Sequence, residues 1–385
     1  MTKYIVIGVV LMSLSSWPLS IALSQLKCMQ IERNIIITGV GLFLAALIGT
    51  FFLFKKYFQN VDPMMYVLSL FCYDAVSGLG TALELDGYIP TIKSSNVSTV
   101  EPYLKTAHGT VITYWNGIVH SILCLFAIAL YTRRDSHREI VLYWAGSLLN
   151  SMLVLLPGCL TGSSTIKTPT YFNGINLVLP LVTIFYYIQR SPLQARTFLT
   201  YPSIFKRPVD LLFIIYFLFA SFMAVFKGLA VLGGNPKCMT DYLKVYEPYL
   251  TESSNFPKFQ ALTYEYIFLI YYLCAIYGLL YPGQHWMADW SIIHAGGAAQ
   301  AQFSYIAGSL HHRTPTAFRS PLKGNAAIAF WGINMALFIV PQLFVWWCQR
   351  DPDHYGRTYT VVLATPKPNK LVPARRPVKY QYKDD

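Results

Sequence analysis

Charged residues are scarce in this chain. Only 12% of its 385 residues are Asp, Glu, Lys or Arg, about half of the roughly 25% that is usual in soluble domains. Hydrophobic residues make up 54%, so an ordinary water-soluble globule is excluded and lipid is expected to surround most of the chain. The net charge of +12 does not indicate a nucleic-acid binder, because the basic residues lie between apolar blocks instead of along one face of a domain.

The sequence also lacks the motifs of common catalytic and metal sites. No GxSxG, HExxH or phosphate-loop motif occurs, and the seven cysteines form no CxxC pair. We therefore expect no metal and no cofactor, and we interpret the cysteines as packing residues. A disulfide between Cys159 and Cys238 is conceivable, but no sequence signal brings these two residues together.

Ten apolar blocks of about 20 residues are present, each long enough to cross a bilayer as one helix, since backbone polar groups cannot stay unpaired in hydrocarbon. The fold class is therefore an all-α membrane protein with about ten transmembrane helices. The sixth and ninth blocks are the weakest, the ninth because Gln300 and Gln302 accompany a Gly/Ala-rich stretch. The first block also fits a cleaved signal peptide ending near Ala22 and Ser24. The blocks cover approximately residues 4–24, 34–54, 62–83, 108–131, 139–160, 171–189, 209–233, 259–281, 290–311 and 325–348.

The distribution of Lys and Arg predicts the orientation. The two chain ends and the even-numbered connections carry more of the 30 basic residues than the opposite loops do, which predicts that both termini are cytosolic. The sequon at Asn96 then falls in a lumenal loop, where glycosylation takes place. The Pro- and Lys/Arg-rich tail from 351 to 385 is predicted to be disordered.

An internal repeat divides the apolar region. Glu101–Leu104 (EPYL) recurs as Glu247–Leu250, Ala145–Gly146 recurs as Ala295–Gly296, and further matches keep a nearly constant offset. An even number of helices per unit gives both units the same orientation, as in parallel transporter repeats. The predicted organisation is two N-terminal helices (1–60), a first four-helix unit (61–190), a second four-helix unit (208–350) and the tail (351–385).

Polar side chains inside the apolar blocks are candidate functional residues, because a charge at membrane depth costs about 2.5 to 3.5 kcal/mol on insertion scales. Several are expected to converge on a cavity in the lumenal half of the first unit. The alternative is a hydrogen-bond network that only fixes helix packing. Candidate ligand-binding residues are Asp74, Tyr114, Trp115, Asn116, His120, Asn150, Glu265 and Gln300, and candidate acid/base groups are Glu84, Asp86, Glu101 and His108.

These residues carry a resemblance to a known family. The segments Glu101–Gly109, Tyr114–Gly117 with His120, Leu142–Trp144, Glu247–Leu250, and His294–Ser304 continuing to Arg313–Thr314 resemble the transmembrane 6 superfamily of EXPERA-domain proteins. The resemblance implies ten helices with two EXPERA units, in endoplasmic reticulum, Golgi-intermediate or lysosomal membranes, and a link to triglyceride, cholesterol and lipoprotein handling. The wider group includes the emopamil-binding sterol isomerase and the sigma-2 receptor, which binds sterols and cationic amphiphiles.

One departure bears on the function. The family usually has Asp in the tetrapeptide that here contains Asn116, and an amide cannot exchange a proton as a carboxyl group does. The first hypothesis is therefore a membrane protein that binds a sterol or another lipid and supports neutral-lipid trafficking, with no protein partner specified. The second is a sterol double-bond isomerase that uses Glu84, Asp86, Glu101 or His108. The third is a lipid transporter.

Overall fold

The computed structural model describes residues 2–26, 31–90, 98, 101–161, 168–190, 203–234 and 236–350, and the regular secondary structure of these residues is entirely helical. Ten long helices follow one another in these described residues. They are α1 (Thr2–Ser24), α2 (Glu32–Lys55), α3 (Pro63–Leu85), α4 (Ala107–Arg133), α5 (Arg138–Thr161), α6 (Thr168–Gln189), α7 (Pro208–Val231), α8 (Phe256–Leu280), α9 (Trp286–Leu310) and α10 (Gly324–Arg350). Each corresponds to one predicted block.

Eight of the ten helices are long and apolar enough to span a membrane by length and hydropathy. The other two, α6 and α9, are the helices whose blocks were the weakest in the sequence. Helix α9 is long enough to span, and its Gln300 and Gln302 are fully enclosed by other helices. Low hydropathy is compatible with this position, because a helix surrounded by protein does not need an apolar outer face. The fold class, an all-α multi-pass membrane protein, is confirmed.

Local signals in the sequence set several helix starts. Asp62 accepts a hydrogen bond from the Met64 amide at 3.0 Å, and Pro63 occupies the first position of α3. Burial opposes ionisation of this carboxyl, but the nearby His137 ring and hydrogen bonds from the Met64 amide and the Tyr186 hydroxyl outweigh it and lower the pKa of Asp62. Thr106 caps α4 in the same way by accepting from the Gly109 amide at 3.0 Å.

The two EPYL segments have the same local structure. Each forms a short 3-10 helix, Pro102–Lys105 in one case and Pro248–Thr251 in the other. Each is followed by a long helix with an internal π-helical turn, Asn116–His120 in α4 and Tyr264–Phe268 in α8. We call the end of the bundle that carries Pro102–Lys105 and Pro248–Thr251 the EPYL end. These matches support the predicted repeat, which remains a prediction.

Helices α5 and α9 form the centre of the bundle through two glycines. A Cβ atom built on Gly146 would lie 2.0 Å from the Ile293 carbonyl oxygen, and one built on Gly296 would lie 2.0 Å from the Tyr143 carbonyl oxygen. Only glycine permits this approach of two backbones. At the end opposite to the EPYL segments, Arg138 at the start of α5 donates to both oxygens of Asp289 in α9, at 2.6 and 2.7 Å.

Several predictions concern residues outside the described part. Asn96 and the tail from 351 to 385 belong to this group. The orientation of the termini and cleavage after the first block also remain predictions. The six described cysteines are free. Four of them are buried, as expected of packing residues, whereas Cys238 and Cys274 are exposed.

Candidate functional site

A cavity of about 400 Å³ lies between the N-terminal helix pair and the first four-helix unit. Its volume is within the range of small-molecule sites, which is about 300 to 1,000 Å³. Helix α2 contributes lining residues between Ile35 and Phe43, and α3 contributes residues between Phe71 and Thr81. Leu148, Met152 and Leu155 of α5 close the inner side.

Three of the sequence-predicted site residues line this cavity: Asp74 in α3, Glu101 before the first 3-10 helix and Asn116 in α4. The side-chain oxygen of Asn116 is buried and accepts no hydrogen bond from the described residues. Buried polar atoms are nearly always satisfied, so an oxygen of this kind at a cavity wall is suited to accept a hydrogen bond from a ligand. Two acidic residues and an amide oxygen thus lie at the walls of an otherwise largely apolar cavity.

The corresponding place in the second unit is filled. Glu247 is the counterpart of Glu101 in the repeat, and its carboxylate lies 2.6 Å from the ammonium group of Lys227 in α7, with the glutamate side chain fully buried. Tyr242 and Tyr305 donate their hydroxyls to the same carboxylate at 2.9 and 2.8 Å. Only about 20 Å³ of space remains there. The repeat alignment places Ser77, a cavity residue, where the second unit has Lys227.

Asp86 belongs to a separate polar cluster at the EPYL end. It accepts a hydrogen bond from the Tyr114 hydroxyl at 2.7 Å, and its other oxygen lies 2.7 Å from the guanidinium group of Arg313. Arg313 follows α9 and also donates to the Leu104 carbonyl and the Thr110 hydroxyl. This cluster therefore ties the loop after α9 to α3 and α4.

Asp86, His311 and His312 are the one group of potential metal ligands in the described residues whose ligand atoms lie within 4.8 Å of one another. The group does not fit a metal ion. His311 Nδ1 accepts from the Arg313 amide and its Nε2 faces Asp86 at 3.2 Å, so the ring proton is on Nε2, the nitrogen that would have to bind the ion. Burial lowers the pKa of His311 and favours this neutral ring. The Arg313 guanidinium beside Asp86 further disfavours a cation.

The remaining candidates of the first unit are buried in helix contacts. His120 Nε2 lies 2.7 Å from the Ser147 hydroxyl, which also accepts from the Trp115 indole at 2.9 Å. The His108 ring stacks on Phe256 with centroids 4.7 Å apart. Each of these contacts joins two helices, which is the packing role that the alternative interpretation assigned to such groups.

Asn150, Gln300, Glu84 and Glu265 lie elsewhere. Asn150 donates to Gln300 across the contact of α5 and α9, so two residues that correspond in the repeat bind each other. Glu84 is buried near the end of α3. Glu265 lies in the π-helical turn of α8, with one carboxylate oxygen packed against Gly228.

The structure thus distributes the predicted site residues over several places. Three line the cavity, Glu84 is buried near the end of α3, and the others form inter-helix contacts. The sequence interpretation missed Arg313 as the residue that bridges the two units at the EPYL end. An arginine directly after an apolar block was the available signal, but basic residues at span ends usually extend into water, so this signal was not distinctive.

Comparison with known proteins gives a consistent set of relatives. A family model described as "Transmembrane 6 superfamily member 2-like, transmembrane domain" matches residues 15–198. Transmembrane 6 superfamily member 2 of Rattus norvegicus is 35% identical over 357 residues, which cover 90% of this chain and 93% of the relative. The Mus musculus protein is 35% identical over 363 residues with the same coverage. The Homo sapiens protein is 33% identical over 362 residues, 89% of this chain and 93% of the relative. No solved structure matches the chain.

Proposed function

The chain belongs to the transmembrane 6 superfamily member 2 family, and from this membership and the site geometry we propose that it binds a sterol or a similar hydroxyl-bearing lipid in the cavity of its first unit. The protein is an integral multi-pass membrane protein. The observation that carries the proposal is the cavity of about 400 Å³ whose largely apolar walls contain Glu101, Asp74 and the amide oxygen of Asn116, which has no hydrogen-bond partner among the described residues. A lipid hydroxyl would donate to one of these oxygens while its apolar body contacts the walls.

The close packing around Glu247 in the second unit supports the proposal that the ligand binds in the first unit. There the ammonium group of Lys227 occupies the space beside Glu247, and no chamber of comparable volume remains. In the first unit Ser77 leaves the corresponding space open. The proposed division of the chain into 61–190 and 208–350 therefore assigns ligand binding to one unit and a structural role to the other.

The cellular role that we propose is support of triglyceride, cholesterol and lipoprotein handling. Endoplasmic reticulum or Golgi-intermediate membrane is the proposed location, with lysosomal membrane as the alternative and both termini in the cytosol. A lipid held in a chamber inside a membrane protein is protected from the bulk bilayer, which suits a step in neutral-lipid trafficking. Transport of the lipid across the bilayer is the third hypothesis, and flux into proteoliposomes would distinguish it from binding.

Filling the cavity should abolish binding. We expect purified full-length protein to be labelled by a photoreactive sterol and unlabelled sterol to compete, whereas Ser77→Phe loses most of the labelling because the ring occupies the chamber. Ile215→Phe, which adds a ring at a lipid-facing position of α7, should keep it. Both variants are first compared with the parent protein by size-exclusion chromatography. Equal labelling of the parent and Ser77→Phe would contradict the proposal.

The isomerase hypothesis requires a proton donor and an acceptor at one ligand. Of its four candidate residues, only Glu101 lines the cavity. We therefore expect incubation with a Δ8 sterol to return only starting material, as measured by gas chromatography and mass spectrometry. Conversion to the Δ7 product that disappears in Glu101→Gln would show that the protein is an enzyme instead.

A further inference from the structure

Helix α2 is packed more closely at one half than at the other. No described residue of α2 before Ala46 is buried, whereas Ala46, Thr50 and Phe54 are between 0 and 5% exposed. The packed half has specific contacts. Leu53 lies over Gly8 of α1, and Phe54 meets the Tyr66 ring of α3 edge-on with centroids 5.7 Å apart.

The less closely packed half of α2 is the outer wall of the cavity. The lining residues of α2 run from Ile35 to Phe43, and a Cβ atom placed on Gly39 or Gly41 would meet no other atom within 4 Å. Leu42 of this half packs against the hydrophobic cluster that includes Leu70 and Tyr73 of α3, and it is only partly buried. Because protein interiors are normally close-packed, this half of the helix is held less firmly than the other half. A segment with few buried apolar contacts has low local stability and opens readily.

The outer face of the same half is apolar. Ile37 and Leu44 are 61 and 51% exposed, and in a transmembrane helix such residues contact lipid tails. On one side of this half there is bilayer, and on the other side there is the cavity. Movement of this segment away from α3 would connect the two without exposing either to water.

We infer that the half of α2 from Ile35 to Phe43 is a lateral gate through which a hydroxyl-bearing lipid enters the cavity from the bilayer, while the half from Ala46 to Phe54 is its anchor. The inference rests on the proposed function and adds the route and the moving element. It assigns a role to the N-terminal helix pair, which lies outside both predicted repeat units. Ligand binding orders the gate, because the lipid supplies further packing contacts to this half of α2.

Spin labels on the two halves of α2 test this inference. Ile37 and Ile48 are both lipid-facing and similarly exposed, at 61 and 57%, so they form a matched pair. The labels are attached to Ile37→Cys and Ile48→Cys in full-length protein whose Cys28, Cys238 and Cys274 are replaced by serine. The cysteines that remain are buried. The protein is reconstituted in phosphatidylcholine nanodiscs, and spectra are recorded with and without cholesterol.

We expect a mobile spectral component at Ile37 that is lost when cholesterol is added, and a spectrum at Ile48 that does not change. In Ser77→Phe, cholesterol should leave the Ile37 spectrum unchanged, which separates gate ordering from a general effect of cholesterol on the bilayer. Sterol labelling that proceeds with no difference between the Ile37 and Ile48 spectra would overturn the gate but leave the proposed function intact. Absence of sterol labelling in the parent protein would overturn both.

Discussion

Replacing Gly146 by alanine should destabilise the protein by about 3 kcal/mol, the upper part of the usual range for overpacking. The added methyl group would lie 2.0 Å from the Ile293 carbonyl oxygen, and because the obstacle is backbone, no side-chain rotation relieves the clash. Helices α5 and α9 must separate, which also disturbs the hydrogen bond between Asn150 and Gln300. We expect a melting temperature in detergent that is lower by about 5 °C or more, measured by fluorescence-detected size-exclusion chromatography.

Gly332→Ala is the matched control for this prediction. Gly332 lies inside α10, and a Cβ atom there meets no atom within 4 Å, so the same substitution should leave stability unchanged or raise it slightly. Gly296→Ala should resemble Gly146→Ala, because its methyl group meets the Tyr143 carbonyl oxygen in the same contact. One separation of the helices relieves both clashes, so the double variant should cost less than the sum of the single variants. Equal melting temperatures for Gly146→Ala and Gly332→Ala would show that the two helices are not in contact there.

Removing the ammonium group of Lys227 should have an effect of similar or larger size. Lys227→Met leaves the carboxylate of Glu247 buried without its counter-charge, and loss of one partner of a buried ion pair typically costs about 3 to 5 kcal/mol. The hydroxyls of Tyr242 and Tyr305 still donate to this carboxylate, so we expect a loss at the lower end of that range. The measurement is again the melting temperature in detergent.

The double variant decides whether charge compensation is the cause. Replacing both partners, Lys227→Met with Glu247→Gln, removes both charges and should recover most of the stability lost in Lys227→Met alone, since replacement of a whole buried pair is often nearly neutral. Lys237→Met, at an exposed position of the short helix Lys237–Val245, should change little. A double variant as unstable as Lys227→Met would indicate that the lysine acts through packing of its alkyl chain instead.

The helix boundaries were largely predictable because the hydrocarbon of the bilayer restricts the structures that an apolar segment can adopt. In hydrocarbon each crossing segment must satisfy its own backbone, so a run of about 20 apolar residues has one structure available. The position of α9 is also predictable in part from its Gly/Ala-rich stretch, because small residues such as Gly296 allow another helix to approach closely. Gly146 of α5 forms the other side of that contact. In the sequence, the only signal at Gly146 was its match to Gly296 in the predicted repeat.

The composition of the candidate site was predictable only in part. In a regular α-helix His120 would lie on the same face as Asn116, because the two residues are four positions apart, about one helical turn. The π-helical turn Asn116–His120 adds a residue to that turn, and this turn separates Asn116 at the cavity wall from His120 beside Ser147 of α5. A change of helix type within an apolar run leaves no clear mark in composition or periodicity.

The amino-acid sequence by itself determined that this is an all-α multi-pass membrane protein, because the length of an apolar run is a local property that the bilayer converts into a helix. It also predicted an internal repeat from the order of matching residues. Only the tertiary structure decided which polar groups face a common space. That choice depends on how each helix is rotated against its neighbours, and a rotation of one residue, about 100°, turns a side chain from a cavity to a helix contact. The tertiary structure places Asn116 and Glu101 at the cavity and encloses Glu247 beside Lys227, although the two EPYL segments are identical in sequence.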